Sequence, residues 1–287
     1  MEKRKIFRLK VRSGVLELGK RTLVMGVLNV TPDSFSDEGK YFRVKEAVAA
    51  ALAMERAGAD ILDVGAESTR PGSSGISAAE ELRRLLPVLE GLRGKLKIPI
   101  SVDTQKAPVA EVAIGAGAEL LNDISGLRND AGMAWVAARY KVPIVLMHMR
   151  GTPATMQKMG FAKNVTRDVL SGLRKSVAAA RAAGVAKGQI VLDPGIGFGK
   201  SYEQNYELLR SLPTLAKLGY PLLVGTSRKG FLGATLAKGG TPAPVERRIW
   251  ATAATVAASV LFGAHIVRVH DVEEMAQVAR VSDAMCG

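Results

Sequence analysis

The sequence is short of the residues that staple, stack or ligate: 287 residues include one cysteine, three histidines and 5% aromatics. The lone Cys286 stands next to the last residue, so no intrachain disulfide forms. Stability has to come from a core, and a reducing cytoplasm is the expected setting. Long apolar runs are also missing. The most apolar stretch, WATAATVAASVLFGAHIV, is Ala-rich and broken by Thr and Ser, short of the roughly 18 uninterrupted apolar residues of a membrane span. It reads as a buried helix feeding a strand, and no membrane partner is expected. The opening MEKRKIFRLKVR carries no charged-then-apolar secretory pattern.

What is present is an ordinary globular balance, 47% apolar and 23% charged, with a net charge of +13. That excess admits nucleic acid, an anionic membrane or a phosphorylated small substrate as partners. The basic residues are spread thinly, and neither a zinc-finger spacing nor an RNP-type motif accompanies the basic start. A small anionic substrate is therefore preferred, and no nucleic-acid partner is expected.

Eight short apolar, β-branched runs recur: LVMGVLNV, DILDVG, IPISVD, ELLNDIS, VPIVLMH, QIVLDPG, YPLLVG and HIVRVH. Each is continuous, as in strands buried on both faces of a parallel sheet. Ala- and Leu-rich helical stretches separate them, several closing on a Gly in the manner of a C-cap. Alternating strand and helix units predict a (β/α)8 TIM barrel, with an open doubly wound sheet as its rival. Residues 6–20 alternate around Ser13-Gly14 and predict an N-terminal hairpin at the barrel's bottom, ahead of a barrel over residues 22–280. Without a linker, the chain reads as one domain.

Polar residues gather where the strand runs end: Asn29, Asp63, Asp103, Asn122 with Asp123, His148, Asp193, and Arg268 with His270. A barrel brings all its strand ends to one rim, where an active site is expected. Asn29 opens a loop that carries Phe35 and Asp37, residue types equally at home in a turn. Thr69, Arg70, Pro71 and Gly72 follow the second run, where Thr and Arg can donate to phosphate oxygens. Asp103, Asn122 and Asp193 either cap the next helices or form a set of acceptors for the N–H edge of a heterocycle, walled by Met147 and Phe198. The stretch GIGFGK fits neither the dinucleotide nor the Walker spacing, so NAD and ATP are rejected. Lys229, after Gly225 and Ser227, would sit at the mouth. Arg268 and His270 alternate on one face as an anion clamp, and an inward Arg requires a charged partner.

MGVLNVTPDSFSDEG, DVGAESTRPGS, ISVDTQK, LLNDISG, LMHMRGTPATMQ, LDPGIGFGK, LLVGTSRKGF and VRVHDV together resemble, in order, the motifs of the dihydropteroate synthases. The resemblance implies transfer of a pterin from its pyrophosphate ester to p-aminobenzoate, in an enzyme that is a sulfonamide target. It implies Mg2+ as cofactor, held by Asn29 on a pyrophosphate bound by Thr69, Arg70, Arg268 and His270. It places the pterin on Asp103, Asn122, Met147, Asp193, Phe198, Gly225 and Lys229, and p-aminobenzoate near Phe35, Asp37, Pro71, Ser227 and Lys229. Asp103, Lys229, Arg268 and His270 are the expected catalytic residues, and a homodimer through the late helices is the expected assembly. Glu38 stands where the family commonly has Gly, which restricts the first loop. A related barrel that passes a methyl group to a corrinoid protein needs no pyrophosphate clamp, so the TPDSFSD, STRPG, SRK and RVH segments argue against it. A barrel without activity is the remaining alternative.

Overall fold

The structure, a computed structural model, describes residues 4–30, 40–70 and 72–286. It opens with a hairpin of β1 (Phe7–Val11) and β2 (Gly14–Leu18), paired antiparallel about a turn at Arg12-Ser13, one residue before the expected Ser13-Gly14. Eight parallel strands follow: β3 (Leu23–Asn29), β4 (Ile61–Gly65), β5 (Ile100–Asp103), β6 (Leu120–Asp123), β7 (Ile144–Met147), β8 (Ile190–Asp193), β9 (Leu223–Val224) and β10 (Ile266–Val269). Their order is β8-β7-β6-β5-β4-β3-β10-β9. A parallel bridge between Leu192 and Leu222, with the Leu192 N–H donating to Pro221, joins the two ends and closes the barrel. The continuous apolar runs thus have their physical reason, since β4, β6, β7 and β8 are buried at every position.

Helices α1 (Lys40–Arg56), α2 (Ala78–Leu92), α3 (Ala107–Ala116), α4 (Gly132–Tyr140), α5 (Val165–Ala182), α6 (Tyr202–Arg210), α7 (Leu212–Ala216), α8 (Gly230–Thr235), α9 (Ile249–Leu261) and α10 (Val272–Cys286) fill the crossovers. The Gly C-cap appears after α3, where Gly117 takes φ 120°. α4 departs from that pattern, ending on Lys141 at φ 53°, a left-handed turn without a glycine. WATAATVAASVLFGAHIV is α9 feeding β10, and no described helix is long and apolar enough to cross a membrane.

The hairpin has a definite task at the bottom of the barrel. Leu9 and Leu18 pack into one cluster with the barrel residues Met25, Ile61, Leu120, Val145, Val191 and Ile266. Both leucines are almost fully buried, so the hairpin plugs the lower end with apolar side chains. Burying them stabilises the fold by roughly 2 kcal/mol apiece. His265 fixes the plug: Leu222 N–H donates to its Nδ1 (3.1 Å), leaving Nε2 to donate to the Lys5 carbonyl (3.0 Å). With the lower end closed by apolar packing, polar chemistry is left to the other rim.

Candidate active site

The register sets the rim. Asn29 of β3 lies opposite Gly65 of β4, Gly65 opposite Asp103 of β5, and Asp103 opposite Asn122 of β6. Met147 of β7 lies opposite Asp193 of β8. Asn29, Asp103 and Asn122 therefore share one row of the sheet, and Asp193 stands two residues further along β8 than Val191, the residue to which that row leads.

Arg268 is the guanidinium among them. Its Nε donates to Asp63 Oδ2 (2.6 Å) and its Nη2 to Asp103 Oδ2 (2.8 Å). Asn122 Nδ2 donates to the same Asp63 oxygen (3.0 Å), which leaves the Asn122 carbonyl oxygen as an acceptor. The charged partner that an inward arginine requires is thus two carboxylates. Burial works against the guanidinium charge, but Asp63 and Asp103 outweigh it and hold the Arg268 pKa above its ordinary value. Asp103 is pushed up to about 7, chiefly by burial, with Arg268 opposing and Asp63 reinforcing the rise. Asp63 Oδ1 is buried without a hydrogen-bonding partner among the described residues.

Asp193 lies across the barrel. Gly195 N–H donates to its Oδ1 (2.7 Å), yet burial still raises its pKa to about 6. Lys229 Nζ sits 3.9 Å from the centre of the Phe198 ring, a cation–π contact. Burial, and then the neighbouring Arg268 charge, bring that lysine down to about 8, against the pull of Asp193 and Asp103. Phe198 packs on a methionine-rich cluster that includes Met147, so both expected walls meet. Gly225 follows β9 beside β10, and a Cβ there would make an ordinary contact of 3.7 Å with the Arg268 Cβ.

His270 is held by Ser227, whose Oγ accepts from the His270 backbone N–H (3.2 Å) and lies 3.0 Å from Nδ1. Burial, with Arg268 beside it, lowers the ring pKa to about 4. At neutral pH the imidazole is therefore uncharged, and of these two residues only Arg268 is a cation. Ser227, expected near p-aminobenzoate, here holds His270 and is buried.

The outer members stand apart. Asn29 is exposed at the end of β3, and Thr69 and Arg70 lie on the β4–α2 loop, Arg70 exposed. Among the described residues neither makes a side-chain hydrogen bond to Arg268 or His270. Gly72 N–H donates to the Pro153 carbonyl (2.9 Å), so this loop touches the β7–α5 connection. Phe35, Asp37, Glu38 and Pro71 lie outside the described residues.

Sequence reasoning placed Asp63 at a strand end, whereas it is the middle residue of β4, below the rim, and it missed that Asp63 anchors Arg268. It also missed a charged cluster under the β4–α2 loop. There Lys106 Nζ donates to Glu67 Oε2 (3.0 Å) and to the fully buried Glu81 (2.6 Å), while Glu67 Oε1 accepts from Ile76 N–H (2.7 Å). The only sequence signal was the acidic Glu67 inside a Gly-Ser loop. As to metal, Asn29 offers one hard oxygen, and no group of three His, Cys, Asp or Glu suited to a metal occurs among the described residues. Such a site suits a Mg2+ that keeps most of its waters and leans on substrate phosphates, not a caged ion.

Comparison with known proteins identifies the family. The model of the pterin binding enzyme family matches residues 25–270. A dihydropteroate synthase of Synechocystis is 49% identical over 277 residues, covering 96% of this chain and 94% of the relative. The Xanthomonas albilineans dihydropteroate synthase solved with 4-aminobenzoic acid superposes with a TM-score of 0.89 at 40% identity, covering 98% of both chains. A complex of the same enzyme with 7,8-dihydropteroate gives 0.85 at 38%, covering 97% and 98%. With the ordered motifs and the rim they build, these relatives show that the chain belongs to the dihydropteroate synthases of the pterin-binding enzyme family.

Proposed function

We propose that this chain condenses 6-hydroxymethyl-7,8-dihydropterin pyrophosphate with p-aminobenzoate, giving 7,8-dihydropteroate and pyrophosphate for folate synthesis. The observation that carries the reading is the rim pocket: Asp103, Asn122 and Asp193 as acceptors, with Arg268 and Lys229 as the cations beside them. In the reaction the arylamine nitrogen forms a bond to the pterin's exocyclic methylene carbon. The bond from that carbon to the pyrophosphate oxygen breaks, and the amine gives up a proton.

The pterin N–H edge would donate to Asp103, Asn122 and Asp193, with Met147 and Phe198 against its faces. Loss of pyrophosphate develops positive charge on the pterin and negative charge on the leaving group. The carboxylates of Asp103 and Asp193 favour the first charge. Arg268, the neutral His270, Thr69 and Arg70 would hold the second. Binding the separated charges better than the ester is what lowers the barrel's barrier to bond cleavage. Lys229 lies beside the pterin wall and would serve both the pterin and the p-aminobenzoate carboxylate. The β3–α1 and β4–α2 loops, with Phe35, Asp37, Pro71 and Ser227, would enclose the arylamine.

Mg2+, when bound through Asn29, would neutralise charge on the pyrophosphate. The expected homodimer is supported by exposed apolar residues on the late helices, with Trp250 80% and Val281 63% exposed. The cytoplasm, where reduced pterins and a free Cys286 thiol persist, is the proposed location. The test is conversion of both substrates, with Mg2+, to a product of dihydropteroate mass. No conversion by a folded protein that binds pterin would overturn the reading in favour of the corrinoid methyl transferase or the inactive barrel.

A further inference from the structure

One buried cation is left without a role by this chemistry. Lys200, at the end of GIGFGK, is only 7% exposed. Its Nζ donates to the carbonyls of His148 (2.8 Å) and Gly195 (2.8 Å), and among the described residues no carboxylate pairs with it. An ammonium desolvated with only carbonyls to receive its hydrogen bonds is costly, and burial lowers its pKa to about 7 against the more distant charges of Asp193 and Asp168. A side chain held at such a cost needs a structural or chemical return.

The backbone around it shows where that return lies. Gly195 and Gly199 both take φ 67°, and a Cβ at either would collide with backbone oxygen of the β7–α5 connection, at His148 and Arg150 respectively. The two connections therefore lie backbone against backbone at the glycines, and Lys200 ties them at the same place. Gly195, one of the residues so tied, is the one whose N–H donates to Asp193. Phe198, in the middle of the turn, forms the ring beneath Lys229.

We infer that Lys200 is a positioning residue for the pterin pocket, its amine tying the 195–200 turn to the β7–α5 connection and thereby orienting Asp193 and Phe198 toward pterin. The lysine that closes this glycine-rich turn is turned inward onto backbone. The inference rests on the synthase reading for the identity of the ligand, and it adds a residue that does not touch that ligand.

The test uses wild type, Lys200→Met and Lys200→Gln. Dissociation constants are measured by calorimetry for 6-hydroxymethyl-7,8-dihydropterin and, separately, for inorganic pyrophosphate with Mg2+. KM values for both substrates accompany them. Lys200→Met is expected to weaken the pterin alcohol at least tenfold and to raise the pterin-substrate KM in step. Pyrophosphate affinity and the p-aminobenzoate KM should stay within twofold. Lys200→Gln, which keeps a donor for one carbonyl, is expected to fall between and serves as the probe if the Met variant does not fold. Unchanged pterin affinity in a folded variant, or parallel loss of both ligands with a falling melting temperature, overturns the inference. Wild-type turnover separates the two readings: an inactive wild type counts against the synthase reading, and an active one with unchanged variants counts against Lys200.

Discussion

Arg268 and Asp63 stand 205 positions apart in the chain and 2.6 Å apart in the fold, and the site's chemistry depends on their meeting. Asp63 accepts from both Arg268 and Asn122, so one carboxylate aims a cation and an amide together. Asp63→Asn is expected to lower kcat/KM for the pterin substrate by at least tenfold, about 1.4 kcal/mol of transition-state stabilisation, in steady-state kinetics. A loss below twofold would show that Arg268 finds its place without it. The pH profile follows from the same neighbourhood. Asp193 at about 6 and Asp103 at about 7 offer pterin a negative charge and two acceptor oxygens only when ionised, and Lys229 at about 8 is mostly cationic only below that value. In the free enzyme kcat/KM should therefore rise as pH rises through 6 to 7 and decline above 8. A flat profile over that interval would contradict these assignments. Because burial disfavours the Asp103 charge in the fold, Asp103→Asn should not lower the melting temperature even as it removes activity.

At the scale of elements, the β4–α2 loop has a firm base and an open tip. Lys106 joins Glu67 of that loop to Glu81 of α2, and Glu81 is fully buried with one carboxylate oxygen unpartnered. Removing the cation leaves a buried carboxylate with no charge partner, a loss of about 3 kcal/mol. Lys106→Met should show it as a lowered urea midpoint, and a change within 0.5 kcal/mol, estimated as the surface-substitution range, would mean that Glu81 finds another partner. This cluster was not legible in the sequence, which shows that charges exist but not which of them meet. The strands were legible, because burial on both faces leaves continuous apolar runs that nothing else in the chain mimics. The least so was β9: YPLLVG promised a full strand, yet only Leu223–Val224 pairs regularly and a single bridge makes the closure. Rim positions were legible for Asp103, Asn122, Asp193 and Arg268, since a barrel sends every strand end to one side. The Arg268 bridge and the Lys200 tie were not, because each depends on contacts across the barrel or between neighbouring connections.

Over the whole molecule, all three histidines are held neutral by burial, His265 and His270 lowered to about 4 and His148 to about 2. A histidine whose folded pKa lies below its unfolded value near 6.5 contributes stability that is full above that value and lost as pH falls toward the folded one. For His265, the hairpin's anchor, the loss between pH 7 and 4 amounts to about 3 kcal/mol. The stability gap between wild type and His265→Gln in urea unfolding should shrink by that amount over the interval, and a constant gap would contradict a neutral anchor. The two ends of the barrel thus divide the work: an apolar plug with a neutral histidine below, and paired charges above.

The central claim, that the upper rim breaks a pterin–pyrophosphate bond and gives the pterin to p-aminobenzoate, is tested most directly by pyrophosphate release. Purified protein receives the pterin pyrophosphate and Mg2+, with and without p-aminobenzoate, beside the Asp103→Asn variant. Release matched one for one by dihydropteroate, and reduced about 100-fold or more in the variant, roughly 2.7 kcal/mol, is the expected result. A folded wild type that binds pterin yet releases no pyrophosphate would contradict the account.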